Sequence, residues 1–304
     1  MIVLTGETEQ ETVGAALNLA QVASACLVRD NHGTDENLSS AMRTAGLLSG
    51  TLAELRERTD QVVILGDNPE KTMPRFWEFV GSKKKEKAVR LGSGRSLESI
   101  RQLRLMNRGM DSKVDANFKL DAARIGKAGS GVVFLNDKTI YEDVNLLTEM
   151  LLWLKELGDG KKWYGQVLFP TPNENGISQL LMSVTGHPGA LSFKKGSAIH
   201  DPRTLQLEKI LFNDEADVIL MIGGIHRLSK PILKKMDGIK TIILSVEKPD
   251  IPADAWLSCA QVGIDGAGTM LRLDGIPVKF APAGKQEQTT GEEYLIRLAR
   301  EVKA

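Results

Sequence analysis

The chain has 304 residues, 42% hydrophobic and 26% charged, with 39 basic and 39 acidic side chains and a formal net charge of zero. That length excludes a single small module, and the charge balance offers no overall attraction to nucleic-acid phosphates. Only two cysteines occur, Cys26 and Cys259, both in apolar strand-like surroundings, which excludes a disulfide framework and a thiolate metal cluster.

The chain opens on a strand-like run, Ile2-Val3-Leu4-Thr5-Gly6, followed by small apolar residues at helical spacing over 11–25. Cys26-Leu27-Val28 predicts a second strand ending in the turn Arg29-Asp30-Asn31-His32-Gly33, and 37–58 reads as one or two helices. Val62-Val63-Ile64-Leu65 is continuously apolar, as in a parallel strand covered on both faces, and ends at Gly66-Asp67-Asn68-Pro69. After the basic run Lys83-Lys84-Lys85-Glu86-Lys87 come a strand over 88–91, the turn Gly92-Ser93-Gly94-Arg95 and a helix from Ser96. Helix is predicted over 114–125, and strands over 132–135, 167–169, 218–222 and 241–244. The segment 270–280, with Asp274-Gly275 at its centre, predicts a hairpin, and 292–303 a closing charged helix. Strands alternating with helices indicate a parallel, doubly wound α/β architecture.

Ligands of open parallel sheets sit beyond the carboxyl ends of the strands. Four turns qualify there: Gly66 to Pro69, Gly92 to Arg95, Thr185-Gly186-His187-Pro188-Gly189 and Gly223-Gly224-Ile225-His226. The turn at Gly94 and Arg95 could take phosphate at a helix start, but Leu97 stands where a dinucleotide loop needs a third glycine. Gly223 and Gly224 allow close backbone approach to a ligand, and a simple tight turn accounts for them equally well. His32, His187, His200 and His226 lack a short metal spacing, and neither a nucleophile elbow nor a Walker loop is present. The lysine run reads as a solvated loop, or as a receiver for an acidic tail. Trp153, Trp163 and Tyr164, near Lys161 and Lys162, read as core or as an exposed aromatic and basic patch.

Taken together, these turns resemble the B-type subunit of formylmethanofuran dehydrogenase. The stretch from Thr59 to Pro69, continuing to Pro74-Arg75, is similar to the segment of molybdopterin-type oxidoreductases in which a strand ends at Gly-x-Asn-Pro. Asn175-Gly176 with Thr185-Gly186-His187-Pro188 resembles that subunit's Asn-x-x-Gly and Thr-Gly-Tyr-Pro turns. Gly268, Thr269, Arg272, Asp274, Gly275 and Pro277 match its Gly-Thr-x-x-Arg-x-Asp-Gly-x-Pro signature.

That family carries a four-cysteine cluster domain and a cysteine or selenocysteine metal ligand before a His-Gly pair. Here the equivalent turn is Asn31-His32-Gly33, so Asn31 or Asp30 stands where the sulfur would be, and the cluster cysteines are absent. Neither side chain reproduces soft thiolate ligation. The resemblance therefore implies the redox-centre-free form found in the formyltransferase/hydrolase complex of methylotrophs. That complex passes a formyl group from formyl-tetrahydromethanopterin to a methanofuran-type carrier and releases it as formate. The chain would be its non-catalytic structural subunit, without metal or cofactor. Its partners would be an amidohydrolase-like A-type subunit, a C-type subunit and a formyltransferase D-type subunit.

On this reading Asn31, His32, Gly66, Asn68, Gly94, Arg95, Thr185, Gly186, His187, Gly223 and Gly224 would be vestiges of a pterin site. The alternative is an oxidoreductase subunit that still holds molybdopterin guanine dinucleotide through the turns at Gly66, Gly94, Thr185 and Gly223. The implied fold has two Rossmann-like domains derived from the molybdopterin oxidoreductase fold, with 29–112 inserted between 1–28 and 113–304, and a C-terminal hairpin and helix. No apolar run reaches the roughly 18 residues of a membrane span, and a basic-then-apolar leader is lacking, so a cytoplasmic location is expected, with neither membrane nor nucleic acid as partner.

Overall fold

A computed structural model describes residues 1–30, 34–92, 96–110, 114–225, 228–285 and 288–303. The chain divides into two units, one made of Met1–Glu36 and Thr171–Ala304, the other of Asn37–Pro170. Its strands in chain order are β1 (Ile2–Leu4), β2 (Cys26–Arg29), β3 (Gln61–Gly66), β4 (Val89–Arg90), β5 (Ser130–Asn136), β6 (Lys162–Val167), β7 (Leu191–Ser192), β8 (Ile199–His200), β9 (Val218–Ile222), β10 (Lys240–Ser245), β11 (Ala255–Ser258), β12 (Gly268–Leu271) and β13 (Pro277–Phe280).

The first unit is built on a sheet of order β11-β10-β9-β1-β2-β7-β8. Its strands from β11 to β2 are parallel. Alternation explains the continuous apolar runs. Ile2, Leu4, Leu27, Leu220, Ile222 and Leu244 point to one face, where helices Gln10–Val22 and Gly291–Lys303 pack. Val3, Val28, Ile219, Met221 and Ile243 point to the other, under helices Leu207–Phe212 and Lys230–Met236. The sheet is not parallel throughout, because the two-residue strands β7 and β8 extend its β2 edge antiparallel. Strands so short carry no periodicity for a sequence to show.

The second unit has a four-stranded parallel sheet of order β4-β3-β5-β6. Because β5 and β6 pair with this sheet, the expected domain break at 112/113 falls inside one unit, and the unit runs on to Pro170. Alternation of strands and helices does not say which strands share a sheet. The strand expected over 167–169 runs instead over Lys162–Val167, where the Trp163 indole fills the space beside Gly131; a Cβ there would lie 2.5 Å from the ring. Trp153, Trp163 and Tyr164 are all buried, which removes the exposed-patch reading. The stretch 37–58 holds two helices, Thr34–Ala45 and Leu52–Arg58, the second started by a capping box between Thr51 and Glu54. The hairpin forms as β12 and β13, and the closing helix as Gly291–Lys303. Among the described residues no helix is long and apolar enough to cross a membrane.

Candidate functional site

In the first unit β1 lies between β2, which follows it in the chain, and β9, which belongs to the half wound the other way, so the switch point falls between β1 and β9. At the carboxyl ends of these strands lies a cavity of about 380 Å³, lined by Thr8, Thr12, Gly223, Gly224 and Gln261 among others. Gly223 has φ +97°, and a Cβ there would come within 2.0 Å of the Thr5 hydroxyl oxygen, so the strand-to-helix turn needs glycine. Beneath it the Thr8 hydroxyl reaches the carbonyls of Thr5 (3.0 Å) and Ile222 (3.3 Å), tying the two strand ends together.

The cavity wall is acidic. Glu7, Glu9 and Glu247 line it, with no lysine, arginine or histidine among the described lining residues. Burial pushes Glu9 above the usual carboxylate range, opposed by a hydrogen bond from Thr12 and reinforced by Glu11 and Glu292. Cys259, also in the wall, is pushed up to about 12 by burial, with Glu9 adding, and behaves as an inert thiol. Cys26 is buried in β2.

The hairpin residues hold the rim together. Thr269 gives its N–H and its hydroxyl to the Glu11 carboxylate, at 2.8 and 2.6 Å. Fully buried Asn173 accepts from Leu271 N–H (2.8 Å) and donates to the Thr8 carbonyl (2.5 Å), joining hairpin and β1 loop. Arg272 grips Asp274 through two bonds of 2.7 and 2.6 Å, Gly275 turns the chain at φ +78°, and Pro277 opens β13. Gly268 leaves no room for a side chain beside Val262, 2.9 Å from a Cβ. The signature thus folds and seats a hairpin.

The turns at Thr185 and Gly66 are also occupied from within. Thr185 ends helix Glu174–Thr185, and Gly186 is its left-handed cap, so this turn follows a helix and not a strand, contrary to expectation. The His187 ring stacks on His200 with centroids 4.3 Å apart. In the second unit Gly66, at φ +109°, makes room for the Asn136 carbonyl, and Asn68 caps the short helix Pro69–Thr72. Asn136 bonds to both Thr72 (3.2 Å) and the Asp67 carbonyl (3.2 Å), closing the strand ends over themselves. In the lysine run, Lys84 caps helix Leu52–Arg58 and Lys85 pairs with Glu70 at 3.1 Å. Asn31, His32, Gly94, Arg95 and His226 lie outside the described residues.

A cluster that sequence reasoning missed lies at the end of β2. Arg29 is buried against Asp35, Glu174 and Ser178. Burial pushes Asp35 up to about 7; Arg29 opposes this, and Glu174 and Glu36 reinforce it. The only sequence signal was an arginine ending an apolar strand, followed by Asp35 and Glu36.

Among the described residues, the lining of the acidic cavity does not suit the pyrophosphate of a pterin guanine dinucleotide. There it would face three carboxylates without a described cation, and the Asn68 and Thr185 side chains bond within their own turns. Among the described residues no three His, Cys, Asp or Glu side chains gather to hold a metal ion.

No family model matches the chain. It is similar to the B-type subunit of the tungsten-containing formylmethanofuran dehydrogenase 2 of Methanocaldococcus jannaschii, 26% identical over 112 residues, which are 36% of this chain and 26% of that protein. The corresponding protein of the same name from Methanococcus maripaludis is 23% identical over 140 residues, 43% of this chain and 32% of that protein. The chain spans about a quarter to a third of the length of these curated relatives in the matched stretches. Among solved structures it shares its fold, at a TM-score of 0.82 and 19% identity, with a chain of the formyltransferase/hydrolase complex from Methylorubrum extorquens in complex with methylofuran. That superposition covers 99% of this chain and 91% of the other, and so both parts of the resemblance drawn from the motifs recur among these matches.

Proposed function

We propose that the chain is a non-catalytic, structural subunit of a formyltransferase/hydrolase complex that converts formyl-tetrahydromethanopterin to formate through a formylated methanofuran-type carrier. The observation that carries this reading is the near end-to-end correspondence with a chain of such a complex. The acidic cavity and the self-satisfied turns support it against the dinucleotide-binding alternative. On this reading the motif turns are remnants of a molybdopterin-type architecture, 37–170 is a domain inserted into the first, and their polar groups now serve the fold. The partners are an amidohydrolase-like A-type subunit, a C-type subunit and a formyltransferase D-type subunit, and the location is cytoplasmic.

Affinity purification from the native source tests it. The expected result is co-purification with three other subunits and formyltransferase/hydrolase activity in the assembly. Recovery of the chain with stoichiometric molybdenum or tungsten, or with pterin fluorescence in a denatured extract, would overturn it in favour of an oxidoreductase role.

A further inference from the structure

The chain leaves the first unit after Glu36 and re-enters it at Thr171, and both crossings end in the same buried polar cluster. Arg29, the last residue of β2, is 6% exposed. One guanidinium nitrogen donates to the Asp35 carboxylate, on the first turn of helix Thr34–Ala45, and to the Ser178 hydroxyl at 2.5 Å. The other donates to the Glu174 carbonyl at 3.3 Å. On the returning segment the Thr171 hydroxyl donates to the Glu174 carboxylate at 2.6 Å. Asp35 and Glu174 are 3% and 4% exposed, so water does little to screen them.

Arg29 bonds to both crossings, to Asp35 on one and to Glu174 and Ser178 on the other. Among the described residues, Asp35 feels the carboxylates of Glu174 and Glu36, and the Arg29 guanidinium opposes them. Gly189 closes the cluster, with a Cβ position 3.3 Å from Glu36 and 3.4 Å from Arg29. Among the described residues Arg29 Nε and one Glu36 oxygen lack hydrogen-bond partners, so the forked grip on Asp35, Ser178 and Glu174 holds the group in place. Removing one partner of a buried ion pair exposes the other to an uncompensated burial.

We infer that Arg29 is a fastener shared by both crossings, and that loosening it releases the outgoing turn at Asp35 and Glu36 together with the returning turn at Thr171 and Glu174. Hydrogen–deuterium exchange on the full chain tests this. Arg29→Lys keeps the charge and loses the fork. It is expected to speed exchange in 34–45 and 171–178 in parallel, by about ten-fold or more, while β1, β9 and β10 keep their protection. Acceleration of one crossing alone, of neither, or of the whole sheet equally would overturn the proposal.

A second set keeps the question open to test if the arginine variant folds poorly. Asp35→Asn and Thr171→Val sit on opposite crossings. If the fastener is shared, their combined acceleration falls short of the product of the two single effects, since either one already loosens both segments. Effects that multiply would show two independent anchors.

Discussion

Glu11 takes two hydrogen bonds from one residue, the backbone N–H and the hydroxyl of Thr269, across 258 positions of sequence. A first-turn glutamate would ordinarily serve only its own helix dipole. Here it also seats the hairpin on the rim of the cavity. Glu11→Ala is expected to lower the unfolding free energy by about 1–3 kcal/mol, measured in urea, with early loss of exchange protection over β12. An unchanged midpoint would mean the hairpin is held by other contacts.

Asn173 is fully buried and uses both ends of its carboxamide, toward Leu271 and Thr8. Replacing it by alanine strands a buried donor and a buried acceptor at once. The expected loss is about 2–4 kcal/mol, and Asn173→Asp should do no better, because it lacks the donor for the Thr8 carbonyl. Wild-type stability in Asn173→Asp would show that this donor does not matter.

Asp35 and Glu9 give the fold a pH dependence of defined sign. Both are raised by burial, Asp35 to about 7. The folded chain therefore holds more protons than the unfolded one, and stability falls as pH rises. For Asp35 the loss begins near its ordinary value of 3.8 and levels off above about 7. Melting temperatures of Asp35→Asn, relative to wild type, should climb through this window. Parallel curves for the two proteins would contradict the assignment.

Gly223 and Thr5 offer a paired test. Gly223→Ala places a Cβ 2.0 Å from the Thr5 hydroxyl oxygen at a positive φ, and should destabilise by about 1–3 kcal/mol. The Thr5 hydroxyl itself is buried with no hydrogen-bond partner among the described residues. Thr5→Val should then stabilise by about 1 kcal/mol, read by thermal melting; a large loss instead would reveal a bond the hydroxyl makes in solution.

The lysine run separates into two kinds of residue. Lys84 donates to the Leu55 and Arg56 carbonyls and to Thr59, so Lys84→Ala should destabilise by about 1–2 kcal/mol. Lys83 and Lys87 are exposed, and reversing both charges should change stability by no more than about 0.5 kcal/mol. If the run receives an acidic tail, that double reversal abolishes salt-sensitive binding of a polyglutamate peptide. Unaltered affinity leaves the run a solvated surface.

Most of the sheet was legible because its strands are continuous apolar runs covered on both faces, and Val3 and Leu4 make opposite-facing contacts that only such a run supplies. The hairpin was legible from Asp274-Gly275. What sequence could not supply was partnership across distance. Nothing near Ser130 says that β5 pairs with β3, and nothing in Thr185 says that a helix precedes it. The signature residues were found, but their tasks were not, since Thr269 works on Glu11 and Asn173 on Leu271 from far along the chain. The Arg29 cluster was invisible because its members are ordinary charged residues until burial brings them together.

The placement of the indoles makes the molecule its own spectroscopic sample. Trp77, Trp153 and Trp163 are enclosed in the second unit, whereas Trp256 stands 37% exposed on an edge strand of the first. Changing Trp256 to phenylalanine leaves an emission that reports on one half of the polypeptide alone, so denaturation of the two halves becomes separable by fluorescence without any added dye.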